Sequence, residues 1–168
     1  ISITFAVLID MIIGDPPHLP HPVKWIGTGI SRLEKMLNRG SFRKGKGIIM
    51  LLIILAAVFI ITALIIWVSY QIHLIFGIFV ESVLISATIA QRNLKEHSLA
   101  VYEPLENGDL NESRVRLSYI VGRDTDRLDE SEIVRGTVET VAENTSDGVT
   151  APLFWGLIGG APLAFVYR

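Results

Sequence analysis

The chain of 168 residues contains no cysteine. It therefore has no disulfide, no thiolate zinc site and no cysteine nucleophile. It has no basic excess either: 15 Lys and Arg stand against 17 Asp and Glu, a net charge of −2. That balance excludes a nucleic-acid binder held by bulk positive charge. The loops G-x-x-x-x-G-K-[ST] and G-x-G-x-x-G and the metal motif H-E-x-x-H are all missing, and Lys44-Gly45-Lys46-Gly47 is too short to imitate the first. Nucleotide chemistry in this chain calls for a site without a Walker loop.

Apolar residues are abundant but unevenly spread: half the chain is hydrophobic, and the mean hydropathy is +0.47. Ile48 to Val68 is a run of 21 residues without a charge, 15 of them Ile, Leu, Val or Phe. About 20 such residues cross a bilayer core as a helix, and their transfer favours insertion by about 5–9 kcal/mol. A helix buried in a soluble core would carry a polar stripe. Ile72 to Ala90 is weaker, with His73 at its edge and Glu81 near its middle. One carboxylate in mid-span costs about 2.5–3.5 kcal/mol, so this segment is expected to insert as a hairpin with the first, turning at Tyr70-Gln71. Ile1 to Ile13, which includes Asp10, reads as part of a span, because it lacks the basic start and small-residue cleavage site of a signal peptide. Val149 to Tyr167 holds Pro152, Gly159, Gly160 and Pro162, a composition that predicts a broken or re-entrant helix.

The expected fold is thus an all-α, polytopic integral membrane protein with cytoplasmic helical segments. Its order is a partial transmembrane segment (1–13), a cytoplasmic Pro-rich and basic loop (14–47), a transmembrane hairpin (48–90), a cytoplasmic acidic helical region (91–148) and the start of a broken apolar segment (149–168). Because the chain opens on Ile1 and ends at Arg168 in an apolar stretch, it is expected to be a piece of a longer protein. Lys24, Arg32, Lys35, Arg39, Arg43, Lys44 and Lys46 face only Asp15 and Glu34 between the first two spans. This excess puts the loop on the cytoplasmic side, and a hairpin returns 91–148 to that side. For residues 39–46, attraction to anionic lipid head groups is the simplest reading.

The chemistry-bearing residues fall in two polar blocks. In the first, four prolines between 16 and 22 stiffen the backbone around Asp15, His21 and Lys24. His18 and His21 read as surface or hydrogen-bonding histidines ahead of metal ligands. In the second, Gln91 to Tyr102 is expected to continue the second span into the cytoplasm. A turn over Pro104 to Asp109, with Asn107-Gly108 at its tip, and a short helix from Leu110 to Ile120 follow. A polar loop Val121-Gly122-Arg123-Asp124-Thr125-Asp126 leads to a helix from about Glu130 to Glu143, capped by Asp129 or Ser131. Arg135, Glu139 and Glu143 recur every four residues and share one face. With Asn144 and Asp147 they offer three carboxylates and an amide at one helix end. Mg²⁺ is held by such oxygen ligands together with substrate phosphates. A solvated acidic face with an Arg135–Glu139 ion pair explains the same spacing.

These residues resemble a known family. Leu8-Ile9-Asp10-Met11-Ile12-Ile13-Gly14-Asp15-Pro16-Pro17, then His21-Pro22-Val23 and Gly27, resembles the opening of adenosylcobinamide-phosphate synthases, the CbiB/CobD family of cobalamin biosynthesis. Val121 to Thr125 and Glu132-Ile133-Val134-Arg135 resemble its second block. Val138 to Gly148 resembles its most distinctive one, and Ala151-Pro152-Leu153-Phe154 and Gly159 to Leu163 continue the pattern. Family members run to roughly twice this length, with an asparagine-threonine-leucine-aspartate block expected just after Arg168. If that block completes the site, this chain alone is expected to be inactive.

The resemblance implies an ATP-dependent amide ligase that joins adenosylcobyric acid, a corrinoid, to aminopropanol phosphate, with Mg²⁺. Matched to the needs of that reaction, Arg123 first, then Lys24 and His21, are candidate phosphate or substrate contacts, and Gly14, Gly122 and Gly148 would allow close backbone approach. Asp15, Asp124, Asp147 and Glu143 are candidate Mg²⁺ ligands. Glu139 or Glu143 is the implied proton acceptor, provided that burial or its neighbour raises its pKa, and Asn144 orients a substrate group. The expected partners are the lipid bilayer, other corrinoid-pathway enzymes or a second copy of the chain, and no nucleic acid. The alternative is a non-catalytic transporter or a signalling and docking protein of the AmpE-like type, with Asp10 and Glu81 along a pathway.

Overall fold

The computed structural model describes residues 1–14, 22–38 and 40–168. Eight α-helices account for most of these: α1 (Ser2–Ile13), α2 (Pro22–Leu37), α3 (Arg43–Ile72), α4 (Leu74–Ser86), α5 (Gln91–Glu106), α6 (Leu110–Ser118), α7 (Glu130–Thr145) and α8 (Ala151–Tyr167), with a π-helical turn at Ser146–Thr150 between α7 and α8. There is no strand among the described residues. Three helical stretches, Arg43–Ile72, Leu74–Glu106 and Glu130–Tyr167, each contain an apolar segment long enough to cross a membrane, the second interrupted at 87–90. The chain is an all-helical, multi-pass membrane protein.

α3 is about 45 Å long at 1.5 Å per residue, and large apolar side chains along it, including Ile48, Leu52, Ile60, Leu64 and Trp67, are exposed. In water such a surface would aggregate; in a bilayer it is solvated. α1, α3, α4 and α8 pack together around buried Ala6, Ile85, Ile89 and Ala161, with Ile66, Val149 and Leu153 against them. Small residues let the helix backbones approach closely. A second core of Val101, Leu117 and Ile133 holds α5, α6 and α7 together outside this apolar bundle. Ile133 is fully buried, and truncating such a side chain to Ala costs about 2–5 kcal/mol.

Four local features differ from the sequence expectations. The chain reverses at His73, not at Tyr70-Gln71. His73 is extended (φ −166°, ψ 143°), and its imidazole accepts the Ile75 N–H and so starts α4. α5 does not continue α4: the chain breaks over 87–90, where the Ala90 N–H donates to the Gly148 carbonyl at 3.0 Å. α5 runs through Pro104 to Glu106 before turning at Asn107-Gly108. Residues 22–37, expected within a loop, form α2, which packs on α3. The expected cap is found: of Asp129 and Ser131 it is Asp129 that starts α7, its side chain accepting the Glu132 N–H while Glu132 accepts the Asp129 N–H.

Two carboxylates in the apolar bundle hold structure. Asp10 is buried and accepts the Arg92 N–H at the start of α5. Glu81 accepts hydroxyls from Ser2 (2.8 Å) and Tyr70 (2.7 Å). It lies against Gly160, where α8 is broken.

Candidate active site

The polar residues of the second block meet where α6, α7 and the π-turn converge. The loop after α6 presents Ile120, Val121, Gly122 and Arg123; the end of α7 presents Glu139, Thr140, Glu143 and Asn144; the π-turn adds Asp147. Together they line an open cleft of 370 Å³. The four-residue recurrence along α7 puts Glu139 and Glu143 on one face, and Asp147 in the π-turn lines the same cleft. π-turns inside helices recur at functional sites.

Arg123 crosses α7 over Gly136, where a Cβ would lie 2.8 Å from its Nη2. Its guanidinium reaches Glu139 at 3.3 Å, and Arg135, one turn back on α7, reaches the other oxygen of the same carboxylate at 2.7 Å. The hydrogen bond from Arg135, assisted by Arg123, holds the Glu139 carboxyl below the usual carboxylate range, against a weaker upward push from desolvation. Glu139 is therefore an ionised clamp for Arg123, and the raised pKa expected of it as a proton acceptor is not found. All these groups are about half exposed or more, so each pair adds little to stability. Asn144 donates to the Thr140 carbonyl at 2.9 Å.

A second recess of 190 Å³ adjoins the first and shares Ile120, Thr140 and Asn144 with it. It is lined by Asn93, Leu94 and His97 of α5, by Ala90 and Gly148 at the backbone bridge, and by Arg168. Sequence reasoning missed Asn93, His97, Arg168 and Gly136. α5 was expected to run straight out of α4, away from α7; a glycine in mid-helix, which costs stability, was the available signal for Gly136.

Six of the expected site residues, Gly122, Arg123, Glu139, Glu143, Asn144 and Asp147, thus line one cleft, and Gly148 lines the recess beside it. Lys24 and Gly14 do not line it: Lys24 sits on α2, and Gly14 (φ +63°) caps α1 with the Arg92 side chain against it. Asp124 turns into its own loop, where it accepts the Asp126 N–H at 3.0 Å. Asp15 and His21 lie outside the described residues. Among the described residues no three His, Asp or Glu side chains form a ready metal cage. The cleft does carry two nearby carboxylates, Glu143 and Asp147, and an amide. This donor set fits Mg²⁺, which takes one or two carboxylates and fills its octahedron with water and phosphate oxygens.

An all-helical bundle with an arginine and carboxylates gathered in a cleft beside its apolar part is a membrane protein with a polar cleft. The sequence model of the CobD/Cbib protein family matches residues 3–168, and the chain belongs to that family. It is 54% identical over its whole length to a "Cobalamin biosynthesis protein CobD" of Halalkalibacterium halodurans, of which it covers 53%. It is 46% identical over its whole length to the protein of that name from Clostridium tetani, covering 54%, and 44% identical over 97% of its length to the one from Klebsiella pneumoniae, covering 52%. The chain spans about half the length of the curated relatives it matches. No solved structure matches it.

Proposed function

We propose that the chain is part of a cobalamin-biosynthesis ligase that forms the amide between adenosylcobyric acid and aminopropanol phosphate, with ATP and Mg²⁺. The observation that carries this reading is the cleft in which Arg123, Glu139, Glu143, Asn144 and Asp147, drawn from two separate sequence blocks, share one wall. Family membership and the relatives' names support the pathway. Asp10 and Glu81, the carboxylates a transporter would use, both serve packing instead, which disfavours the alternative.

Amide formation from a carboxylate needs a leaving group, phosphate binding and a base for the incoming ammonium. ATP would supply the activation, turning the carboxylate into a mixed anhydride whose phosphate leaves when the amine attacks, and Mg²⁺, held by Asp147 and the phosphate oxygens, would neutralise charge there. Arg123, fixed by Glu139, presents a planar fork to a phosphate. Glu143, free of the arginine clamp, takes the proton from the amine nitrogen. Asn144 orients the substrate group that enters from the adjoining recess. The reacting end faces the cytoplasm, where ATP is available.

The test uses the full-length protein in mild detergent with adenosylcobyric acid, aminopropanol phosphate, ATP and Mg²⁺, read by mass spectrometry. Adenosylcobinamide phosphate that disappears when ATP or the amine is omitted supports the ligase. Glu143→Ala and Asp147→Ala are expected to abolish product while leaving membrane insertion unchanged. Product persisting in both variants overturns the assignment of the site.

A further inference from the structure

A recess unrelated to that cleft lies at the closed end of the α2–α3 pair. α2 turns Ile26, Gly29, Leu33 and Leu37, its less exposed positions, to one side, and a Cβ at Gly29 would lie 4.0 Å from Ile54 Cδ1 of α3. Lys24, Arg32 and Lys35 are on the exposed surface of α2, together with Trp25 and Met36. Where the two helices join, Glu34, Leu37, Asn38, Arg43, Lys46, Gly47 and Met50 enclose 230 Å³. Arg43 also donates to the Gly40 carbonyl at 3.4 Å.

Three properties of this recess point to one class of ligand. Among the described residues that line it, two cations and one carboxylate leave one net positive charge. Its aliphatic wall, Leu37 and Met50, is continuous with the uncharged run that begins at Ile48. Its level is the start of the longest span, the depth at which a bilayer places its phosphates. A headgroup phosphate at Arg43 and Lys46 with an acyl chain descending along Met50 satisfies all three. A soluble anion uses only the charge, and a zwitterionic lipid, whose phosphate is offset by its own ammonium, leaves the net positive charge of the recess unmatched.

We propose that this recess is a discrete binding site for one anionic glycerophospholipid, with Arg43 and Lys46 on the phosphate and Leu37 and Met50 on the acyl chain. It differs from general attraction of the basic segment to an acidic membrane surface because it depends on the two cations that line the recess. Lys44 lies between them in sequence but does not line it.

The experiment is native mass spectrometry of the full-length protein released from nanodiscs of phosphatidylglycerol and phosphatidylcholine in equal parts. The expected result is one retained phosphatidylglycerol per chain. Arg43→Gln with Lys46→Gln is expected to reduce that adduct about tenfold, the size of one lost charge-assisted contact pair, and Lys44→Gln is expected to leave it unchanged. Excess glycerol phosphate or inorganic phosphate is expected not to displace the lipid. Equal retention of both lipids, an equal loss in Lys44→Gln, or displacement by free phosphate each overturns the proposal. Should the double variant insert poorly, Met50→Asp tests the acyl wall and is expected to give the same loss of adduct.

Discussion

Asp10, near the end of α1, accepts the Arg92 backbone N–H at 3.2 Å, although 82 positions separate them in sequence. Arg92 sits in the first turn of α5, whose own flanking residue, Ala90, makes no side-chain cap. The capping group that α5 lacks locally therefore comes from another helix. The Arg92 side chain completes the joint: it lies across the end of α1, donates to the Ile12 carbonyl and pairs with Glu96 at 2.6 Å. Gly14 leaves room for it, since a Cβ there would meet Arg92 Cδ at 2.7 Å. This joint ties the apolar bundle to the helix that carries Asn93 and His97 into the candidate site.

Replacing Asp10 tests the joint. Asp10→Ala removes the side-chain acceptor of a helix-start N–H. The expected loss is about 1–3 kcal/mol. Asp10→Asn keeps an acceptor and is expected to lose less. Denaturant unfolding in detergent micelles reads both. Equal midpoints for Asp10→Ala and the parent would show that the cap contributes nothing.

The break in α8 makes a second prediction. Gly160 has φ +63° and ψ −158°, a conformation essentially confined to glycine that costs any other residue about 1–3 kcal/mol. A Cβ there would also lie 2.5 Å from Glu81 Oε1. Gly160→Ala is expected to destabilise the bundle through both effects. Adding Glu81→Ala to Gly160→Ala relieves the contact but not the backbone strain, so the double variant is expected to recover part of the loss that the two single variants predict by addition. Strict additivity in the unfolding midpoints would separate Glu81 from the break.

A third prediction concerns proton affinity. The Glu139 carboxyl is held below the usual range by Arg135 and Arg123. A carboxyl whose pKa is lower folded than unfolded stabilises the fold above the unfolded value and loses that contribution as pH falls through the folded value. The group is solvent-exposed, so the effect on stability is small and screened by salt. It is best read directly: in a carbon-13 titration of labelled glutamates, Glu139 is expected to titrate below the other exposed glutamates, and Arg135→Ala is expected to raise its midpoint. In kinetics, Glu139→Gln is expected to raise KM for a phosphate-bearing substrate, whereas Glu143→Gln lowers kcat by about 10²–10⁴-fold as a lost base does. A midpoint for Glu139 within the ordinary range would remove the clamp.

Much of this architecture is legible in sequence because its causes are local. The uncharged run from Ile48 to Val68 forces a span, Asp129 or Ser131 marks a helix start that the structure assigns to Asp129, and the spacing of Glu139, Glu143 and Asp147 groups three carboxylates before any fold is known. What is not legible depends on partners distant in sequence. The break at 87–90 is held by the Gly148 carbonyl, and the capping role of Asp10 requires α5 beside α1. The same break turns α5 so that His97 and Asn93 reach the site, and no periodicity within α5 announces it. Lys24 is the converse case: its neighbours suggest a phosphate ligand, but it rides on α2, away from the cleft.

The last prediction isolates Arg123. Gly136 is buried in the middle of α7, where glycine costs about 0.5–1 kcal/mol relative to alanine. Alanine there would restore helix propensity, but its Cβ would come within 2.8 Å of Arg123 Nη2 and 3.3 Å of Leu117 Cδ2. The guanidinium is the far end of a flexible side chain, so it shifts while the fold persists. Gly136→Ala is therefore expected to leave the unfolding midpoint nearly unchanged while separating Arg123 from Glu139. A misplaced phosphate contact is expected to raise KM for the phosphate-bearing substrate by about tenfold, the equivalent of one 1.4 kcal/mol contact. Arg123→Lys, which keeps the charge but loses the planar fork, is expected to fall between Gly136→Ala and Arg123→Ala. If Gly136→Ala keeps parental kinetics while Arg123→Ala does not, Arg123 acts without its seat on Gly136, and the groove across α7 is not what positions it.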